Sequence, residues 1–280
     1  MNKENIKSRM GFIQGRLSPM INGNIQAFPS KHWMEEYADA NLNEFPYMEW
    51  TLDFKDIHKN PLMLDSGQTE IVQLGIENAV KVKTLTGDFF MQKPFFKETG
   101  KLRDELIQLL INVIGLSAKI GVKIVVIPLV DNSSLKTLSD EDEFIEGMNL
   151  IQAHLKENNM QIAFESDFKP KQLKQFIDKF DAEYFGINYD IGNSASMGFN
   201  WENELLEYGN SVINVHIKDR VLGGTTVPLG EGDADIHGVI KKMESLNYQG
   251  LYILQTARAQ DNNDVNALNM YRDYVLNRLD

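Results

Sequence analysis

INYDIGNSASMGFNWENELLEYGNSVINVHIK, residues 187–218, holds short apolar runs, each ending in a residue fit to bind a divalent cation. Asp190 closes the run Tyr184–Tyr189 that leads into it, and His216 closes Ser211–Val215. Between them lie a glycine-bearing loop and one helical pattern, Trp201–Tyr208. A strand ending in a carboxylate, then a loop, a helix and a strand ending in an imidazole, make one βαβ unit. Working outward, the run Met160–Phe164 ends in Glu165 and the run Leu251–Leu254 ends in Gln255. The intervals are 25 residues (165 to 190), 26 (190 to 216) and 39 (216 to 255), each long enough for a loop, a helix and a strand. Side chains at the carboxyl ends of neighbouring parallel strands point into one shared mouth.

The same alternation extends to both ends of the chain. Met10–Gln14, Pro46–Trp50, Ala79–Leu85 and Val122–Pro128 read as strands one to four. Lys31–Asn41, Glu70–Asn78, Lys101–Ile120 and Asp140–Asn158 read as the helices that follow them. In Lys101–Ile120 the residues Leu102, Leu106, Leu109, Val113 and Leu116 recur at three-to-four spacing, and Gly121 stops the pattern. Pro170–Phe180, Asp235–Leu246 and Asp264–Leu279 complete the helices. Eight strands alternating with helices predict an α/β fold, a single (β/α)8 TIM barrel over residues 1–280, with its site at the strand C-termini. The loops Leu17–Ser30, Thr51–Gln68 and Thr86–Phe96 are long, and with Trp33, Phe89 and Phe90 they are expected to cover the mouth.

Composition narrows the function. A chain of 280 residues, 42% of them hydrophobic, suits one such barrel. A formal net charge of −12 opposes a nucleic-acid partner. With no cysteine there are no disulfides, thiolate nucleophiles or Cys-bound zinc. The start, MNKENIKSRM, is polar and does not read as a signal peptide. The longest dense apolar run, Ile124–Val130, is too short to span a bilayer. A cytoplasmic protein without a membrane partner is expected, and a homo-oligomer is left open.

Glu165, Asp190 and His216 form a mixed carboxylate–imidazole set suited to Mn²⁺, Mg²⁺, Co²⁺ or Zn²⁺. One polar strand end is what any solvated loop boundary shows; three at near-equal intervals read as a ligand set. Gln255 offers a neutral amide oxygen, acceptable to a hard cation but not a proton acceptor at neutral pH. Lys218, two residues past His216, sits at the mouth. His32, His58, His154 and His237 have no ligand spacing with one another. The GEG at Gly230–Gly232 is a weak anion signal, because Glu231 itself repels phosphate.

FESD at 164–167, NYDIGN at 188–193, VHIKDR at 215–220 and LGEGDAD at 229–235 resemble the xylose-isomerase-like TIM-barrel superfamily. GFIQGRLSP at 11–19, IQAFP at 25–29 and LQTAR at 254–258 are similar to its bacterial sugar-phosphate isomerase/epimerase group. The resemblance runs from strand one to strand eight. It implies a divalent metal held by a Glu, an Asp, a His and a Glu on strands five to eight. Glu165, Asp190 and His216 match the first three, and Gln255 stands where the fourth is expected. It also implies, for the epimerases, two opposed glutamates on strands five and eight that exchange the proton next to a carbonyl. An amide at strand eight cannot be one of them. The superfamily's DNA-repair endonucleases carry a histidine-rich three-zinc site, and this chain lacks those histidines.

The expected activity is a metal-assisted isomerase or epimerase of a small sugar, sugar phosphate or related polyol. Glu165 would move the proton while the metal stabilises the developing enediolate. Glu49, near the end of strand two, and Lys218 are the candidates for the second acid/base. Gln14, Arg16, Asn193, Gln255 and Arg258 are the candidate substrate contacts. A metal-dependent dehydratase, or a sugar-binding barrel that has lost one base, is the alternative that Gln255 keeps open.

Overall fold

The computed structural model describes residues 3–279. Eight parallel strands close into a barrel in which each strand pairs with its neighbours in the sequence and strand one pairs with strand eight. The strands are Met10–Ile13, Tyr47–Thr51, Lys81–Thr86, Ile124–Leu129, Gln161–Ser166, Phe185–Asp190, Val212–Ile217 and Tyr252–Leu254. They are numbered here one to eight in that order, with helices on the outside. The predicted barrel is thus the observed one.

Alternation along the strands sets the site. Successive side chains of a strand face opposite sides, so residues two apart share a face. In strand six Asn188 and Asp190 share one face, and in strand seven Asn214 and His216 share one. A register irregularity between Ile187 and Asn188 brings Asn188 opposite Asn214 and Asp190 opposite His216. A second irregularity, between Met48 and Glu49, sets Glu49 opposite Thr84. Asn214, His216 and Glu49 have no exposed surface. The barrel therefore has a polar layer near its C-terminal mouth, above an apolar interior.

Element boundaries moved for identifiable reasons. Strand three begins at Lys81 rather than Ala79, because Ala79 takes a left-handed φ of 55° in the preceding turn. The second outer helix begins at Asp65 rather than Glu70, and its Gly67 lies so close to the Pro61 backbone that no β-carbon fits there. The helix after strand one spans Glu35–Leu42, shorter at its start than the pattern in the sequence. The loop after strand six folds into a short helix, Ile191–Ser196, capped by Asp190 itself.

The aromatic loop after strand three also forms structure. It folds as a helix, Asp88–Gln92, and a 3-10 turn, Phe95–Lys97. Phe89, Phe90, Phe95 and Phe96 are buried, and the last three pack on Phe144 of the helix Leu138–Asn158. Trp33 likewise packs on Tyr37 and Trp50. The expectation that Trp33, Phe89 and Phe90 cover the mouth is corrected: ring burial on the order of 2 kcal/mol each favours the core over the cavity wall.

Candidate active site

Glu165, Asp190 and His216 each bring one donor atom to a cluster in which all such atoms lie within 4.8 Å of one another. His216 presents Nδ1 to the carboxylates, 3.3 Å from Glu165 Oε2 and 4.0 Å from Asp190 Oδ2. Asn188 Nδ2 donates to Glu165 Oε2 at 2.7 Å, and Asn193 Nδ2 donates to Glu165 Oε1 at 2.7 Å. Asp190 Oδ1 accepts from the Asn193 N–H at 2.8 Å, and its Oδ2 accepts from Lys218 Nζ at 2.6 Å. The Glu165 carboxylate is thus fixed by two amides, and Asp190 by a helix start and an ammonium.

Behind the trio lies a buried polar layer. Glu49 Oε1 faces His216 Nε2 at 2.8 Å, and Asn214 Nδ2 donates to Glu49 Oε2 at 3.2 Å and to Asn188 Oδ1 at 2.9 Å. Burial alone lowers the His216 pKa, but the Glu49 and Glu165 carboxylates outweigh it and push it up to about 10.

A cavity of about 500 Å³ opens at this mouth. Of the residues singled out from the sequence, Glu165, Asn193, Lys218 and Gln255 line it. The three long loops each contribute to its wall, through Gln26, Asp53 and Asp88 respectively. Arg220, on a small hairpin that follows strand seven (Asp219–Arg220 with Thr226–Val227), lines it as well and donates to Asn193 Oδ1 at 2.7 Å.

Asp190 and His216 lie behind this wall, and four of the candidate catalytic and substrate-contact residues do not reach it either. Gln14 is fully buried, with its Oε1 accepting from the Thr51 N–H at 3.1 Å. Arg16 is buried and donates to the carbonyls of Thr256, at 2.9 Å, and Ile25, at 2.8 Å; burial holds its pKa down to about 9. Arg258 donates to the carbonyls of Ile25, at 3.1 Å, and Ser18, at 2.8 Å, and to Asp264 at 3.3 Å. Gln14 thus joins strands one and two, and the two arginines tie the loop after strand one to the segment after strand eight. Glu49 is the fourth: with no exposed surface and both oxygens engaged by His216 and Asn214, it has no path to a substrate carbon. The GEG segment is also engaged, since Asp219 accepts from the N–H groups of Gly230 (2.8 Å), Gly232 (3.1 Å) and Ala234 (3.1 Å).

Sequence reasoning missed Asp88, Gln26 and Arg220. Gln26 Nε2 donates to Asp88 Oδ2 at 2.6 Å, and Gln255 Nε2 donates to Gln26 Oε1 at 2.8 Å. The available signal for Asp88 was a carboxylate one residue past the end of strand three and its glycine, overshadowed by the phenylalanines after it.

The donor set fits a divalent cation. Donors about 2.1 Å from one ion sit roughly 3–3.5 Å apart, so the trio as placed needs only a small contraction. Hydrogen bonds behind a ligand histidine and behind ligand carboxylates are the usual support of such a site, and Glu49, Asn188 and Asn193 supply them. Gln255 Oε1, buried and without a protein partner, is a neutral oxygen donor at the same mouth. Glu165, Asp190 and His216 could therefore hold a metal.

The fold and this site define a barrel of the xylose-isomerase kind. Residues 40–273 match the model of the xylose isomerase-like TIM barrel family, and the chain belongs to that family. It is 24% identical over 207 residues, covering 67% of this chain and 70% of the other, to SgbU of Escherichia coli (strain K12), provisionally named an L-ribulose-5-phosphate 3-epimerase. The fold is shared with 3-keto-D-glucoside 4-epimerase YcjR from E. coli, with a TM-score of 0.70, 16% identity, and 94% of this chain and 98% of that one covered. It is shared too with the IOLI protein, solved with a bound zinc atom, with a TM-score of 0.74, 15% identity, and 97% and 99% covered. Among the described residues no helix is long and apolar enough to cross a membrane.

Proposed function

We propose that this protein is a metal-dependent isomerase or epimerase of a small sugar, working by proton transfer at the carbon beside a carbonyl. The observation that carries the reading is the buried Glu165–Asp190–His216 cluster at the edge of a cavity that also receives Lys218, Arg220 and Gln255. Sugar epimerases among its relatives support it.

Glu165 is the base. Asn188 and Asn193 hold its two oxygens in place, so the carboxylate meets a substrate carbon without first searching for an orientation. Lys218 offers a donor for hydroxyl and carbonyl oxygens, and Arg220, held by the Gly224 carbonyl and Asn193 Oδ1, adds positive charge to the wall. A bound divalent ion, with Mn²⁺, Mg²⁺, Co²⁺ and Zn²⁺ as the candidates, would polarise the carbonyl and stabilise the developing negative charge.

Charge argues for an unphosphorylated substrate. The cavity wall carries Asp53, Asp88, Asp131, Glu165 and Asp167 against Lys218 and Arg220. Even with the two charges of a bound divalent ion these five carboxylates leave the wall net negative, which disfavours a phosphate and leaves a neutral ketose unaffected. The second reading is a dehydratase on a ketose-like substrate, favoured by the amide at Gln255, because elimination needs one base at carbon and an acid at the leaving hydroxyl.

The test is deuterium incorporation from D2O into D-fructose, D-tagatose, D-psicose and L-ribulose 5-phosphate, with each of the four metals. Exchange that requires a metal and disappears in Glu165→Gln is the expected result. Loss of water from the sugar would select the dehydratase, and no exchange with any probe would overturn both readings.

A further inference from the structure

We propose that Asp88 is the second proton-transfer group of this cavity, taking the part that the amide of Gln255 cannot take on strand eight. The proposal rests on the isomerase or epimerase reading above. A reaction that inverts a carbon next to a carbonyl needs two groups that each hold a proton, approaching from different sides. Glu165 is one. Hydrogen bonds do not separate the other carboxylates on the wall, since Asp53 accepts from the Phe28 N–H and Gln92, and Asp88 from Gln26 and from Thr86 Oγ1 at 3.2 Å; burial does, with Asp131 exposed and Asp53 and Asp167 half-exposed. Asp88 alone of these is buried in the wall, 8% exposed, and reaches it from the loop after strand three. Strand four lies between strands three and five, so Asp88 and Glu165 approach the cavity from different walls.

The neighbours of Asp88 tie it to the missing base. An ionised carboxylate only accepts, so Gln26 must turn its Nε2 to Asp88 and its Oε1 to Gln255. Gln255 in turn gives Nε2 to Gln26, which leaves its Oε1 without a partner at the cavity. A proton on Asp88 permits the reverse arrangement: Asp88 donates to Gln26 Oε1, Gln26 donates to Gln255 Oε1, and Gln255 presents an N–H. The proton state of Asp88 is thereby written into which end of the Gln255 amide meets the substrate. Burial raises the Asp88 pKa, Gln26 and Thr86 pull it down, Asp53 and Glu165 add to the rise, and the result is about 6. The buried Arg16 guanidinium also acts on it, in the direction that favours the carboxylate.

The proton balance closes. The Glu165 carboxylate removes the proton from the carbon, and the electron pair of that C–H bond passes to the carbonyl oxygen as an enediolate. Protonated Asp88 gives its proton to the same carbon, the carbonyl re-forms, and the product carries the inverted centre. Glu165 then releases a proton and Asp88 regains one by exchange with water.

The experiment compares wild type, Asp88→Asn and the double variant Asp88→Asn/Gln255→Glu in D2O, with Mn²⁺ and D-fructose, D-tagatose or L-ribulose 5-phosphate as probes. In Asp88→Asn, deuterium should still enter the recovered starting sugar, while epimer formation falls about 100-fold. The second substitution, which restores a carboxylate on strand eight, should return at least a tenth of the wild-type epimer. A measurement on the wild type alone covers the case in which Asp88→Asn does not fold: the side-chain amide resonances of Gln26 and Gln255 should titrate together near pH 6. Epimer formation at the wild-type rate in Asp88→Asn, equal loss of exchange and epimer with Mn²⁺ affinity intact, or flat amide resonances from pH 4.5 to 8 would each overturn the proposal. No exchange by wild type with any probe would overturn the isomerase reading and this one with it; exchange without dependence on Asp88 overturns this one alone.

Discussion

His216 Nε2 lies 2.8 Å from Glu49 Oε1, and neither side chain has any exposed surface. The contact joins strand seven to strand two across the barrel interior, 167 residues apart in the chain. It keeps a hydrogen on Nε2, so that a cation displacing the hydrogen of Nδ1 would meet the lone pair on the side where Glu165 and Asp190 stand. Glu49 is thus a positioning residue for the candidate metal ligand. Glu49→Gln should weaken Mn²⁺ binding by about 10- to 100-fold in calorimetric titration. Deuterium exchange should persist once Mn²⁺ is saturating. Exchange abolished at saturating Mn²⁺, with affinity unchanged, would instead place Glu49 in contact with the substrate.

That relationship also shows what a sequence can and cannot disclose here. Glu165, Asp190 and His216 were readable because the βα repeat fixes where strands end, and strand ends share one mouth. The partner behind His216 was not, because a contact across the barrel depends on strand register, including the irregularities at Met48/Glu49 and Ile187/Asn188. Arg16 and Arg258 carry the charges a substrate site wants, yet their guanidinium hydrogens meet carbonyls of Thr256, Ile25 and Ser18. Nothing in a residue pattern tells which way a loop carbonyl points. The phenylalanines after strand three misled for a related reason: a loop that folds back as a short helix turns its rings inward and leaves Asp88 at the wall.

Glu36 gives the protein a specific pH dependence. Its buried carboxylate accepts from the N–H groups of Gly15 (2.9 Å) and Leu17 (3.0 Å) and from Ser18 Oγ (3.0 Å), clamping the loop that carries Gln26. Burial, opposed by those donors and by Arg258, pushes its pKa up from 4.5 to about 7. The folded state therefore keeps a proton that the unfolded chain loses above pH 4.5. Stability from this group is greatest below that value, falls as pH rises, and is fully lost above about 7. Glu36→Gln removes the titration. In urea unfolding from pH 4.5 to 8, the wild type should lose on the order of 3 kcal/mol relative to the variant. The opposite slope would mean that an ionised Glu36 paired with Arg258 is the preferred folded form.

Two helix glycines should respond oppositely to alanine. Replacing glycine in a helix interior ordinarily stabilises by about 1 kcal/mol. Gly115, in the helix Gly100–Lys119, has nothing within 4 Å of where its β-carbon would sit, so Gly115→Ala should stabilise by about that amount. Gly147 instead lies against Phe95, and a β-carbon there would overlap the ring. Phe95 stacks on Phe144 at 5.9 Å and is edged by Phe90 and Phe96, so it has no room to withdraw. Overpacking costs about 1–3 kcal/mol and exceeds the helix gain. Thermal melts should show Gly147→Ala falling by about 3 °C and Gly115→Ala rising. A rise in both would show that the aromatic cluster is loosely packed.

Gln255→Glu acts on the candidate metal site and on Asp88 at once. A carboxylate in place of the amide adds a negative charge to a mouth already built from Glu165 and Asp190, and divalent-ion affinity grows with ligand charge. Mn²⁺ should bind at least about tenfold more tightly. The new group cannot donate, however, while the atom it faces is Gln26 Oε1, 2.8 Å from the present amide nitrogen. Two acceptors at that distance repel, and the cheapest relief is a half-turn of the Gln26 amide. Its Nε2 then serves strand eight and its Oε1 faces Asp88 Oδ2, now 2.6 Å from Gln26 Nε2. Only a protonated Asp88 can meet an acceptor there, so its proton should be held above the present value of about 6. The Gln26 side-chain amide resonance, followed against pH without metal, should report a midpoint raised by about one unit. Tighter Mn²⁺ binding with an unmoved midpoint would break the link from strand eight to Asp88. A raised midpoint with unchanged Mn²⁺ affinity would show that residue 255 does not reach the ion.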